Sequence, residues 1–240
     1  MLTVPSAEFV ALSGITIANA NNTTSGTGGG LNNAGTVTIT GSTFTGNTAH
    51  HGGAIDSGDG SGLGSTGTVT VTASTFTGNT ASGDNKNPGD GGAIDNGDTN
   101  GAGTVTVTAS TFTSNTASND GGAIDNADKV SAGSVTVTAS TFTGNTAGDG
   151  GAIDNGEGTW QDIGSGSATV TASTFTGNTA YFGGAIDNGG TGAGSGSYAT
   201  MAVAGDVFDG SCFQVGGTWA DGGYNAGTDT SCFASTPPGR

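Results

Sequence analysis

GTVTVTASTFTSNTASNDGGAIDN, residues 103–126, decides the fold. Three blocks follow one another in it: TVTVT, STFTSNT and GGAIDN. Relatives of the whole stretch begin at Gly35, Gly67, Gly133 and Gly166. The second valine-type residue precedes the phenylalanine by five positions in each copy, as in Ile39–Phe44, Val71–Phe76, Val107–Phe112, Val137–Phe142 and Val170–Phe175. The isoleucines that follow are Ile55, Ile94, Ile124, Ile153 and Ile186, and from each the distance to the next valine block varies. Rigid blocks joined by elastic connections are strands joined by loops. TVTVT alternates with period two, the mark of a half-buried strand with valine on one face and threonine on the other.

Working outward, degenerate units flank these five copies: VALSGITIAN (10–19) with GGGLNN (28–33), and MAVAGDVFDG (201–210). That makes about seven units. Three short strands in each unit of about 30 residues suit one turn of a parallel β-helix. The expected architecture is all-β: a right-handed parallel β-helix of about seven coils, roughly 34 Å long at about 4.8 Å per coil. Residues 1–211 form the solenoid and 212–240 a cap and tail. Composition agrees. The 240 residues include 50 glycines and only four leucines, a poor mix for helices.

In this arrangement Val69/Val71, Val105/Val107 and Val135/Val137 point inward, with the five phenylalanines and five isoleucines stacked on their own kind. Asn126, and the asparagines three places after each phenylalanine (Asn47, Asn79, Asn115, Asn145, Asn178), sit at bends where their amides bond backbone and one another. If Ile124 points in, Ala123 and Asp125 point out.

Charge narrows the function. Three basic residues, Lys86, Lys129 and Arg240, stand against 19 acidic ones, a net charge of −16. Phosphate neutralisation needs several cationic side chains, so nucleic acid is not an expected partner, nor is an anionic membrane surface. No run approaches 18 apolar residues, so no membrane insertion is expected.

The pairing of GGAI with FTGN resembles the GGAI and FxxN repeats of the polymorphic outer membrane proteins. More widely it resembles bacterial extracellular right-handed β-helix repeat proteins. The resemblance covers residues 10 to about 211, and GGYNAGTDTSC (222–232) is similar to the segment that closes such repeat regions. It implies a secreted or cell-surface scaffold with an adhesin-like role. The chain departs from that family in lacking a membrane-barrel region. Its opening MLTVPSAEFV has no signal-peptide pattern and reads as the interior of a longer β-helix whose first coil is truncated.

Four features are candidates for function. The first is a field of outward hydroxyls: Thr36, Thr38 and Thr40; Thr68, Thr70 and Thr72; Thr104, Thr106 and Thr108; Ser134, Thr136 and Thr138; Ser167, Thr169 and Thr171. Such a flat array resembles the ice-binding faces of β-solenoid antifreeze proteins, and equally it is what a soluble strand face looks like. The second is an aspartate ladder, Asp56, Asp95, Asp125, Asp154 and Asp187, read as solvated surface acid or as a site for calcium. No other cofactor is expected. The third is an enzyme site of the kind found in polysaccharide-processing β-helices. It is disfavoured, because each carboxylate belongs to the repeat and His50–His51 reads as a solvated turn. The fourth is a set of aromatics, Trp160, Tyr181, Phe182 and Tyr198, able to stack on a sugar, anchor a partner or shield the end of the rod. Cys212 and Cys232 are expected to form a disulfide, which belongs to an oxidising, extracellular setting. The expected protein is therefore a non-enzymatic monomer that engages a cell surface, a carbohydrate or ice.

Overall fold

The computed structural model describes residues 1–58, 66–84, 88–97, 101–127, 131–156, 164–189, 199–214 and 217–233. Among these the only helical element is a single 3-10 turn, Thr230–Cys232; everything else regular is strand. Among the described residues no helix is long and apolar enough to cross a membrane.

The central coil shows the plan. Thr104–Thr108 leads to Thr111–Thr113, then to the short Thr116–Ala117, then to Ile124–Asn126. Each strand pairs in parallel and in register with its counterpart one coil away, so that Val105 faces Val135, Phe112 faces Phe142 and Ile124 faces Ile153. Three eight-stranded parallel sheets result, here called the valine, phenylalanine and isoleucine sheets after their inward residues. A fourth sheet of four strands fills one corner, and the bridges Thr116↔Thr146↔Thr179 continue its line. The architecture is a parallel β-helix.

Two expectations change. The coils number eight rather than seven. Cys212–Gln214, Thr218–Asp221 and Ala226–Gly227 extend all three main sheets by one more strand, so the segment read as a cap is itself a coil. The first six coils also have a fourth side. STFTGNT is not one strand. It bends after the threonine that follows phenylalanine, at Ser114 or at the glycine in that place in the other copies, all with positive φ. The asparagine side chain then takes over the hydrogen bonding at the corner.

The core is a narrow column. Phe44, Phe76, Phe112, Phe142, Phe175 and Phe208 are fully buried and stack face to face, with ring centroids 4.7 to 5.1 Å apart. The spacing is that of the strands, so offset stacking is imposed by the ladder. Two asparagine ladders line the corners. Nδ2 of Asn47 donates to Oδ1 of Asn79 at 2.9 Å, and the same step recurs from Asn79 to Asn115, Asn115 to Asn145 and Asn145 to Asn178. The second runs Asn96→Asn126→Asn155→Asn188, each step 2.7 Å. A serine ladder at the valine–phenylalanine corner (Ser42, Ser74, Ser110, Ser140, Ser173) accepts backbone N–H groups from coil to coil and ends on the carboxylate of Asp206.

The double glycine of GGAIDN has a specific reason. Gly121 has φ +61, and a Cβ there would meet the backbone of Ile124 and Asp125. A Cβ on Gly122 would meet the carbonyl of Gly151 in the next coil. The chain thus doubles back tightly just before the isoleucine strand, which sets the geometry of the acidic residues described next.

Candidate functional site

The threonine field is where alternation puts it. Along Thr68–Thr72 and Thr104–Thr108 the valines are buried while the threonines are half-buried or exposed. Register makes straight columns: Thr36, Thr68, Thr104, Ser134, Ser167; Thr38, Thr70, Thr106, Thr136, Thr169; Thr40, Thr72, Thr108, Thr138, Thr171. The hydroxyl rows do not stop at the corner. The phenylalanine sheet adds two further columns, one of them Thr43, Thr75, Thr111, Thr141 and Thr174 and the other the threonines two places on. STFT alternates as TVTVT does, so period two was the signal for these as well. The corner between the sheets is turned by Ala73, Ala109, Ala139 and Ala172, all with φ near +50.

The aspartate ladder is not on the surface. Asp56, Asp95, Asp125, Asp154 and Asp187 are all 0% exposed, and so is Ala123, which was expected to point out with Asp125. They do lie opposite the isoleucines on their strands. What the alternation rule could not supply is the cover. The residue five positions earlier, just before the double glycine that reverses the chain, reaches the ladder aspartate of the following coil, as His51 reaches Asp95 and Asp149 acts on Asp187. That earlier residue is His51, Asp90, Asp120, Asp149 or Phe182 in successive coils. Asp90, Asp120 and Asp149 thus form a second acidic column that sequence reasoning missed, although DGGAID recurs with both aspartates in place.

His51 demonstrates the contact between the columns. Its Nδ1 lies 3.3 Å from Oδ2 of Asp90 and 3.8 Å from Oδ2 of Asp95. The imidazole is buried, so the solvated turn expected for His50–His51 does not hold for His51. Uncharged pairs close both ends of the double column. In the N-terminal direction Nδ2 of Asn32 donates to Oγ1 of Thr27 at 2.6 Å. In the C-terminal direction the rings of Phe182 and Phe213 meet at 4.7 Å, with Phe213 in register above Asp187.

Burial pushes the Asp187 carboxyl up to about 7, with repulsion from Asp149 adding to the effect. Neither of its oxygens accepts a well-formed hydrogen bond. The N–H of Asn188 lies close enough only to pull the value part of the way back. Asp206 is raised to about 6, again by burial, against the pull of the Ser173 and Ala204 N–H groups at 2.7 and 3.0 Å. Among the described residues no three His, Cys, Asp or Glu side chains converge as a metal ion requires.

Cys212 and Cys232 are disulfide-bonded, with Cα atoms 4.7 Å apart. Tyr181 is largely exposed, and its ring stands edge-on to that of Phe182 at 4.7 Å. Trp160, Tyr198, Lys86, Lys129 and Arg240 lie outside the described residues.

The repeat of the Chlamydia polymorphic membrane proteins matches the chain four times, at residues 41–58, 73–97, 109–127 and 139–156. The chain therefore carries polymorphic membrane protein repeats, and each match runs from the phenylalanine corner through the GGAI turn. No curated protein and no solved structure matches the chain.

Proposed function

We propose that this chain, as a carrier of polymorphic membrane protein repeats, is a non-enzymatic β-helix scaffold with an adhesin-like role at a bacterial cell surface. The observation that carries the reading is the division of the molecule into an acidic, buried seam and long uncharged rows of hydroxyls. Five columns of threonine and serine cross two sheets without a charge, over the five coils from Thr36 to Thr176. Such a surface offers a large, repeated, weakly polar contact area, which suits avidity better than a single pocket. Its partners would be a cell-surface or carbohydrate ligand, met by a monomeric rod. The disulfide supports an extracellular setting, since such bonds persist in oxidising compartments. The repeat, found in membrane proteins, supports the same location.

Burial argues against catalysis at the most enzyme-like group. His51 beside Asp90 and Asp95 is the titratable break in the acidic repeat, yet the side chain is 4% exposed and a substrate would have no route to it. A second reading, ice binding, draws on the regular spacing of the same threonine columns. One experiment separates the two. Beads coated with the purified protein are assayed for retention on matrix and glycan surfaces, and the free protein for thermal hysteresis. Retention without hysteresis is expected. Hysteresis without retention would replace the adhesin reading with ice binding.

A further inference from the structure

We propose that the two facing aspartate columns form a proton-binding seam, whose carboxyl groups fold with protons bound and make acidity a stabiliser of the solenoid. The argument rests first on geometry. Asp56, Asp95, Asp125, Asp154 and Asp187 are Cα partners in one parallel ladder, so neighbouring carboxyl groups are about 4.8 Å apart along the axis. Asp90, Asp120 and Asp149 cover them from the glycine turns, and Asp120 and Asp149 are bridge partners in their turn. Seven of these eight side chains are at most 2% exposed, and only Asp149 is half-buried. Carboxylates stacked at this distance out of water cannot all carry charge.

The described residues include no Lys and no Arg, and among them the imidazole of His51 meets the seam at its N-terminal end, beside Asp90 and Asp95. Asp187 stands at the opposite end. The groups that face it are Asp154 in register below, Asp149 from the preceding turn, Phe182 from its own turn and Phe213 above. Two acids and two aromatic rings favour the neutral form, against the weaker opposing pull of the Asn188 N–H. The rise of Asp187 from 3.8 to about 7 agrees: it holds its proton roughly a thousand-fold more tightly than the unfolded chain does.

The direction of the pH effect follows. Below about pH 4 the carboxyl is protonated whether the chain is folded or not, and the contribution to stability is complete. Between there and pH 7 the unfolded chain has released a proton that the fold retains, so stability falls as pH rises. Above 7 the loss is complete. Ordinary surface carboxylates paired with cations give the opposite slope.

The test is the melting temperature from pH 4 to 8.5, at fixed ionic strength, for the wild type, Asp187→Asn and Asp149→Asn. The proposal expects the wild type to melt lower as pH rises. It expects Asp187→Asn, a neutral isostere, to melt higher than wild type at pH 8 and to flatten the profile. Infrared spectra of the wild type at pH 6 should show a carboxylic-acid carbonyl band that disappears by pH 8.5; this holds whether or not the variants fold. A wild-type profile that is level or rises with pH, or the absence of the acid band at pH 6, would overturn the seam. So would a melting temperature at pH 7 that EDTA lowers and added calcium restores, since a metal ion and not protons would then neutralise the columns.

Discussion

The side chain of Asn79 donates to Oδ1 of Asn115 at 2.9 Å, and the backbone N–H of Asn79 reaches that same oxygen at 3.0 Å. One amide oxygen thus satisfies two buried donors from the coil before it. Its own Nδ2 serves Phe76 O and Asn145 Oδ1 at 3.1 and 3.0 Å. The corner of each coil is completed by the asparagine of the next.

Replacing Asn115 by alanine therefore strands groups in two coils rather than one. A buried polar group left without its partner costs about 1–3 kcal/mol. Asn115→Ala should lower stability by about 3 kcal/mol or more in chemical denaturation. Asn178→Ala should cost less, because no asparagine follows it in the ladder. Equal losses at the two positions would mean that the ladder does not couple coils.

Phe112 sits between Phe76 and Phe142 at 4.7 and 4.8 Å. Truncation to alanine opens a gap in a column with rings on both sides, and the usual cost of such a change is about 3–5 kcal/mol. Phe112→Leu should cost distinctly less. The denaturant midpoint reports both.

Asp206 ends the serine ladder, accepting from Ser173 N–H where the other coils use a hydroxyl. Its folded value near 6 exceeds that of the unfolded carboxyl, so the fold loses stability as pH rises from about 4 to 6. Asp206→Ser restores the hydroxyl of the other coils. Its melting temperature should gain on the wild type at pH 7 and converge with it near pH 4. A gain of the same size at both values would show that ionisation is not the cause.

Thr106 lies between inward Val105 and Val107 and between Thr70 and Thr136 in its column. Thr106→Tyr should leave the fold intact, with a change within about 0.5 kcal/mol, while raising a bulky ring in the middle of the hydroxyl field. The expected hysteresis of the wild type is nil, so the variant should differ only in surface retention. Measurable hysteresis in the wild type, abolished by the tyrosine, would favour ice.

Reduction supplies another check. Mass spectrometry should show a gain of two hydrogens on reducing Cys212–Cys232, and the reduced chain should be less stable by roughly 3 kcal/mol in the loop-entropy account.

Much of this was legible in the sequence because a strand has an integral period. Valine, phenylalanine and isoleucine fell inward in Val105, Phe112 and Ile124, and the asparagines fell at corners, from spacing alone. Burial of Asp125 was not legible in the same way. Alternation says on which side of its strand a residue lies, and nothing about what folds across that side. The cover comes from the column to which Asp90, Asp120 and Asp149 belong, placed by the glycine turns, and so depends on a reversal that period two does not describe. His51 was misread for the same reason. The eighth coil was missed because Cys212–Gln214 and Thr218–Asp221 keep the register while abandoning the residue types that made the repeat visible.

The bond between Cys212 and Cys232 has a mechanical consequence. Tension applied to the chain after residue 233 enters the body at Cys232 and passes through sulfur to Cys212, on a strand paired with Ile186–Asn188. The 19 residues between the cysteines are shielded from that load. A pull from the C-terminal side cannot peel the last coil one residue at a time. It has to break the strand at Cys212 away from its neighbour, with the hydrogen bonds there loaded together.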